Sequence, residues 1–160
     1  MSINGSLKNF RWLCLSGVII ALDQYTKFLA NSQLAYLQPV EIFSFFNLTL
    51  VYNMGAAFSF LHSASGWQQW FLSGIAVAVS GVILVWLYQL SEKDTWSGIA
   101  LGAILGGAIA NLIDRLVRGY VIDFLDVHWH QYHWPVFNVA DIAISIGAVL
   151  YIGIIIFKKE

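Results

Sequence analysis

Residues 96–116 read WSGIALGAILGGAIANLIDRL, and this stretch decides the fold. It is apolar enough and long enough to cross a bilayer, since about 20 residues of helix span the hydrocarbon core. Gly98, Gly102 and Gly106 recur every four residues, with Gly107 and Ala110 beyond them. Small residues at that spacing let helix backbones approach closely, so the segment predicts a tight helix pair. Its far end carries Asn111, Asp114 and Arg115 at i, i+3 and i+4, on one side of the helix. A carboxylate at the edge of a hydrocarbon slab is expensive, so it needs a partner, water or a chemical role.

Three more segments share this character, roughly Phe10–Leu29, Trp70–Leu90 and Val136–Phe157. Lipid offers no water to bare backbone groups, so all four are expected to be helical. The 160 residues are 59% hydrophobic and 11% charged, with mean hydropathy +0.71. Soluble domains carry about 25% charged residues. The composition therefore predicts one integral membrane domain over residues 1–160. A net charge of −1 gives no reason to expect a nucleic-acid partner. The single cysteine, Cys14, excludes a disulfide within the chain and is expected to pack as a small hydrophobe. Lys8 and Arg11 before an apolar run imitate a signal peptide, but Asp23 and Lys27 follow at once, so a retained first helix is expected.

Four spans put both termini on one side. Lys8, Arg11, Lys93, Lys158 and Lys159 flank ends that share a face, whereas 31–69 holds no Lys or Arg. The positive-inside rule then makes the termini and the 91–95 turn cytoplasmic and both long loops external. Arg115 and Arg118 break the rule mildly, a hint that they serve a site. Trp12, Trp86 and Trp96 are expected at the inner boundary, and Trp67, Trp70, Trp129 and Trp134 at the outer one. In the first outer loop, Phe46, Leu48, Leu50 and Tyr52 alternate with Asn47, Thr49, Val51 and Asn53. Period two predicts a strand with one greasy face, in a small sheet on the outer membrane surface. The aromatic-rich second loop, 119–135, is expected at the interface too.

Three helices bring polar groups to one membrane level. Asp23 and Lys27 are i and i+4 at the outer end of the first. Asn111, Asp114 and Arg115 end the third, with Asp114 and Arg115 expected to form a bracing ion pair. Asn138 and Asp141 open the fourth, with Asn138 a natural N-cap. Asp123 follows the third span. If the chain folds back, Asp123 and Asp141 meet at one face. Two carboxylates that meet cannot both ionise easily, which is the starting point for acid–base hydrolysis. Asn138 and Asn111 can donate hydrogen bonds that fix carboxylate rotamers.

Five blocks carry a resemblance: Asp23-Gln24-Tyr25-Thr26-Lys27, Asn53-Met54-Gly55-Ala56-Ala57-Phe58, Asn111-Leu112-Ile113-Asp114-Arg115, Val121-Ile122-Asp123-Phe124 and Phe137-Asn138-Val139-Ala140-Asp141. Together and in order, over residues 12 to 157, they resemble the blocks of bacterial lipoprotein signal peptidase (signal peptidase II). Ala110 stands where that family often has Gly, and Ile122 where it often has Val; neither change removes a functional side chain. The resemblance implies an all-α membrane protein, a four-helix bundle with a small extracytoplasmic sheet. It implies an aspartic endopeptidase of the bacterial inner membrane that cleaves diacylglyceryl-modified prolipoproteins just before the lipidated cysteine. Asp123 and Asp141 would be catalytic. Asn53, Gly55, Asn111, Asp114, Arg115 and Asn138 would line or brace the site, and Asp23 and Lys27 would shape it. The cyclic peptide globomycin would inhibit, membrane lipid would be a partner, no cofactor would be needed, and the chain would act as a monomer.

Two other classes compete. A proton- or ion-coupled carrier could use Asp and Lys relays, but carriers place these near mid-membrane. A non-catalytic assembly subunit could use the glycine face, which leaves the paired aspartates unexplained. No serine–lysine dyad of the serine signal peptidase type is evident. His128, His130 and His133 lack the flanking carboxylates and helical spacing of a zinc site, so an interfacial loop and no metal are expected. His62 is an isolated loop residue.

Overall fold

A computed structural model of the chain describes residues 9–55, 67–91 and 93–157. Lys8, Ala56, Ala57, Phe58, His62, Lys158 and Lys159 lie outside the described residues. Four helices are long and apolar enough to cross a membrane: α1 (Phe10–Gln33), α2 (Trp67–Gln89), α3 (Thr95–Arg118) and α4 (Val139–Phe157). A four-stranded antiparallel sheet joins them at one end: β1 (Val40–Phe43), β2 (Phe46–Asn53), β3 (Val121–Trp129) and β4 (Tyr132–His133), in that order. The expected sheet is present, and it draws two strands from each of the two long connections.

α3 is the central helix, packed against the other three. Its glycines explain this. A Cβ on Gly98 would run into the Trp12 indole, one on Gly102 would lie 3.0 Å from the Trp12 carbonyl, and one on Gly106 would lie 2.9 Å from the Ser16 carbonyl. Ser16 Oγ donates to the Gly102 carbonyl at 2.8 Å across this contact. On the other side, a Cβ on Gly107 would strike the Ala140 carbonyl of α4. The missing side chains seat α1 and α4 against α3 on opposite flanks, which fixes the spacing of the polar groups at the sheet end.

Trp12 is thus a core residue, 7% exposed, rather than part of an interfacial belt. The position of Gly98 opposite it makes the pocket it fills. Cys14 is exposed, pointing away from the bundle instead of packing inside it. α1 extends four residues beyond its apolar core, because backbone hydrogen bonding does not stop where apolarity does. α4 begins at Val139 rather than at 136, for a reason that lies in the site.

Candidate active site

Two local structures deliver the paired aspartates. α3 ends at Gly119, whose φ of +79° is left-handed and which donates to the Arg115 carbonyl at 3.2 Å. That cap turns the chain straight into β3, where Asp123 sits opposite Val51 of β2 and two residues from the Asn53–Val121 pair. The other structure is the start of α4. Asn138 Oδ1 accepts the Asp141 N–H at 3.0 Å, and Asp141 Oδ2 accepts the Asn138 N–H at 3.2 Å. This reciprocal capping box sets the first helical residue at Val139 and locks the Asp141 side chain at the helix N-terminus.

Asn138 also ties the two structures together. Its Nδ2 donates to Asp123 Oδ1 at 2.6 Å, while its backbone holds Asp141. Asn53 Nδ2 donates to Asp123 Oδ2 at 2.9 Å, and Asn111 Nδ2 donates to Asp141 Oδ1 at 2.8 Å. Each of the four carboxylate oxygens therefore receives one N–H. The amides cannot turn over freely. Asn53 Oδ1 accepts the N–H of Gly55, which adopts φ +98°. A side chain there would be strained by that φ, and its Cβ would lie 3.0 Å from Leu72.

The orientation of Asn111 is set from below by Lys27, which has no solvent exposure. Its ammonium has three donors and finds three acceptors: Asp23 Oδ2 at 2.7 Å, Asp114 Oδ2 at 2.8 Å and Asn111 Oδ1 at 2.8 Å. An ammonium cannot accept a hydrogen bond, so the amide oxygen of Asn111 must face it and its NH2 must face Asp141. Asp23 and Asp114 have a second task each. Asp23 Oδ1 accepts the N–H of Ala140 at 2.8 Å, and Asp114 Oδ2 accepts the N–H of Ile122 at 3.2 Å. Each buried acid thus grips the backbone of the residue just before one of the paired aspartates.

Asp123 is 2% exposed. Burial pushes its carboxyl up to about 7 from 3.8, against the pull of the Asn53 hydrogen bond and with help from the charge of Asp141. A proton held near neutral pH beside a second carboxylate is what general acid–base chemistry requires. Arg115, half-buried, feels the charges of Asp141 and Asp123 without a direct ion pair to either. Among the described residues, no group of three or more His, Cys, Asp or Glu is placed to hold a metal ion.

All ten residues singled out in the sequence gather at this end of the bundle: Asp23, Lys27, Asn53, Gly55, Asn111, Asp114, Arg115, Asp123, Asn138 and Asp141. The expected Asp114–Arg115 ion pair is not formed. Asp114 pairs with Lys27 and Arg118 instead. Adjacent residues on a helix point about 100° apart, whereas i and i+4 face each other, so Arg118 reaches the carboxylate and Arg115 does not. Gln24, which lies within the first block, is a further site residue beyond these ten. Its Nε2 donates to Asp114 Oδ1 at 2.9 Å and its Oε1 accepts from Arg118. Its spacing of three from Lys27 was the available signal.

The family model for signal peptidase (SPase) II matches residues 15–157. The chain is 48% identical to the lipoprotein signal peptidase of Pseudomonas syringae pv. tomato over 98% of its length and 91% of that protein. It is 51% identical to that of Alteromonas mediterranea over 89% of its length and 78% of that protein. A solved bacterial membrane enzyme, obtained by the in meso method at 2.3 Å, superposes with a TM-score of 0.82 at 26% identity, covering 94% of this chain and 92% of the other. The family model and the named relatives are peptidases, and the polar groups sit at one end of the bundle rather than at mid-depth, so the carrier alternative is not supported. With four membrane-spanning helices, the chain is a multi-pass membrane protease, and it belongs to the signal peptidase II family.

Proposed function

We propose that the chain is an aspartic endopeptidase that removes signal peptides from diacylglyceryl-modified prolipoproteins, with Asp123 and Asp141 as its catalytic pair. The observation that carries the reading is the double hold of Asn138, side chain to Asp123 and backbone to Asp141. Asp141 lies in the first turn of α4, where the helix N-terminus favours negative charge. Asp123 holds the proton. Water adds to the scissile carbonyl carbon as its proton passes to Asp141 and the Asp123 proton passes to the carbonyl oxygen. Collapse then moves a proton from Asp141 to the leaving nitrogen and one from the gem-diol to Asp123, so the C–N bond breaks and the pair is restored.

Asn53, Gly55, Asn111 and Asn138 orient the carboxylates; Asp23, Lys27 and Asp114 brace them. Arg115, without a direct partner among the described residues, is placed to polarise a substrate carbonyl. One domain, residues 1–160, acts as a monomer with no cofactor, and globomycin occupies the substrate groove. In this reading the termini are cytoplasmic and the site lies near the outer face of the bacterial inner membrane, as the positive-inside rule applied to the basic flanks supports. Depth matters, because pulling the substrate's acyl chains into water costs about 0.8 kcal/mol per CH2. The test is cleavage of a lipidated precursor by purified enzyme. Asp123→Asn and Asp141→Asn should each abolish it, with the double variant little worse than either. Substantial turnover by either single variant removes that residue from the mechanism.

A further inference from the structure

A second buried carboxylate lies three residues beyond Asp123 on β3. Asp126 is 3% exposed and belongs to none of the five sequence blocks. Its Oδ2 accepts the Thr49 hydroxyl of β2 at 2.9 Å, and its Oδ1 meets Nδ1 of His133 on β4 at 2.7 Å. Burial pushes the carboxyl up, but hydrogen bonds from His133, Thr49 and Asn47 outweigh it and hold Asp126 below the usual carboxylate range. A charged carboxylate only accepts, so His133 Nδ1 carries the proton. The His133 ring stacks on His128, its cross-strand partner, with centroids 4.8 Å apart.

The place of this cluster in the chain gives it a task. The β3–β4 hairpin is the connection between Asp123 and Asp141. After His133 the chain runs back beside β3. Trp134 donates to the Val127 carbonyl at 2.9 Å, Phe137 and Leu125 exchange hydrogen bonds at 3.1 and 2.9 Å, and the next residue is Asn138. Register along this return arm decides whether Asn138 meets Asp123 at all. A slip of one residue would turn its side chain to the other face. Ladder bonds alone do not choose between registers, because backbone N–H and C=O groups are alike at every residue and the regular strand here, β4, has only two. The Asp126 carboxylate does, by joining one specific side chain of the return arm to one of β2, the strand that also carries Asn53.

We propose that Asp126 is a positioning residue for the peptidase reaction, clamping His133 to Thr49 so that the return arm presents Asn138 to Asp123. This rests on the assignment of the dyad above. Kinetics on a lipidated precursor test it, with Asp123→Asn as the control for the dyad itself. His133→Leu should lower kcat about tenfold per folded enzyme with KM within about twofold, since misplacing a catalytic group costs turnover rather than affinity. His133→Asn, which keeps an N–H near the Nδ1 position, should restore most of that loss. Combining Asp126→Leu with His133→Leu should be no worse than either alone. Thr49→Val, which releases the other end of the clamp and keeps the strand's side-chain shape, should also lower kcat. A kcat for both His133→Leu and Thr49→Val within about twofold of the parent, or failure of His133→Asn to restore activity, overturns the clamp while leaving the dyad standing. Turnover by Asp123→Asn would instead overturn the dyad.

Discussion

The buried Asp123 carboxyl should make the folded protein less stable as pH rises from about 4 to about 7, and Asp123→Asn should abolish that dependence. The unfolded chain releases the proton near 3.8, while the folded chain keeps it to about 7. Between those values the folded state binds more protons than the unfolded state, so stability falls as pH climbs through the window and is flat outside it. Roughly three pKa units at about 1.4 kcal/mol each give about 4 kcal/mol. For a chain of this size, 1 kcal/mol moves Tm by about 2–4 °C, so the parent should lose roughly 10 °C relative to the variant between pH 4 and pH 8. The absolute offset is a poorer guide. The new NH2 group would face Asn53 Nδ2 or Asn138 Nδ2, both donors already, and Asn53 is kept from flipping by the Gly55 N–H. That mismatch costs about 1 kcal/mol at every pH. Thermal unfolding of both proteins in one detergent across the range isolates the slope, because every other titrating group is shared. A parent–variant Tm difference that stays constant within about 2 °C would refute the buried, proton-holding carboxyl.

Lys27→Met should destabilise the fold by about 3–5 kcal/mol, because Asp23, without solvent exposure, would be left buried with no cation and Asp114 would keep only Arg118. Lys27→Arg should not repair it, since a planar fork cannot reproduce three bonds from one nitrogen; thermal denaturation of the three proteins decides. EDTA should leave the cleavage rate unchanged; loss of activity restored by zinc would implicate the histidines near the sheet. In a Cys14→Ser background, Ser44→Cys should react with a membrane-impermeant thiol reagent on intact spheroplasts, and Asp94→Cys only after lysis. The reverse pattern would place the site on the cytoplasmic face.

The spans were legible because lipid dictates them: apolarity and length alone decide where a helix can cross. The strand Phe46–Asn53 was legible from its alternation, yet its buried residues include polar Asn47 and Thr49 while Phe46 and Leu48 remain half-exposed. Asn47 and Thr49 turn inward because Asp126 is there to receive them, and no local pattern reports a partner 77 residues away. β3 escaped the period-two test for a related reason. Val121, Ile122, Asp123 and Phe124 are all buried, so a strand covered on both faces shows no alternation. Asp23, Lys27, Asn111, Asp114, Arg115, Asn138 and Asp141 were legible as a set because they fall at i, i+3 and i+4 at helix ends, whereas Asn53 and Gly55, at the end of β2 and just beyond it, were marked only by the sequence blocks. Which of them pair was not, since that depends on how closely α1 and α4 approach α3, and the glycines of α3 set that distance.

The buried ionic network makes sense as a positioning device more than as a source of stability. Replacing a buried ion pair by apolar side chains is often neutral or stabilising, so Asp23, Lys27 and Asp114 need another justification. Their second bonds supply it. Asp23 holds the N–H of Ala140 and Asp114 the N–H of Ile122, each one residue before a member of the proposed dyad, and Lys27 joins the two acids while fixing the amide that faces Asp141. Three charges without solvent exposure thus link the backbones of two segments that arrive from different helices. An apolar trio of equal volume could fill the space, but it could not bond those backbone groups. Nor could it decide which end of Asn111 points at Asp141. The relative placement of two carboxylates is what acid–base hydrolysis depends on, and directional bonds to an ammonium specify it where nondirectional packing would not.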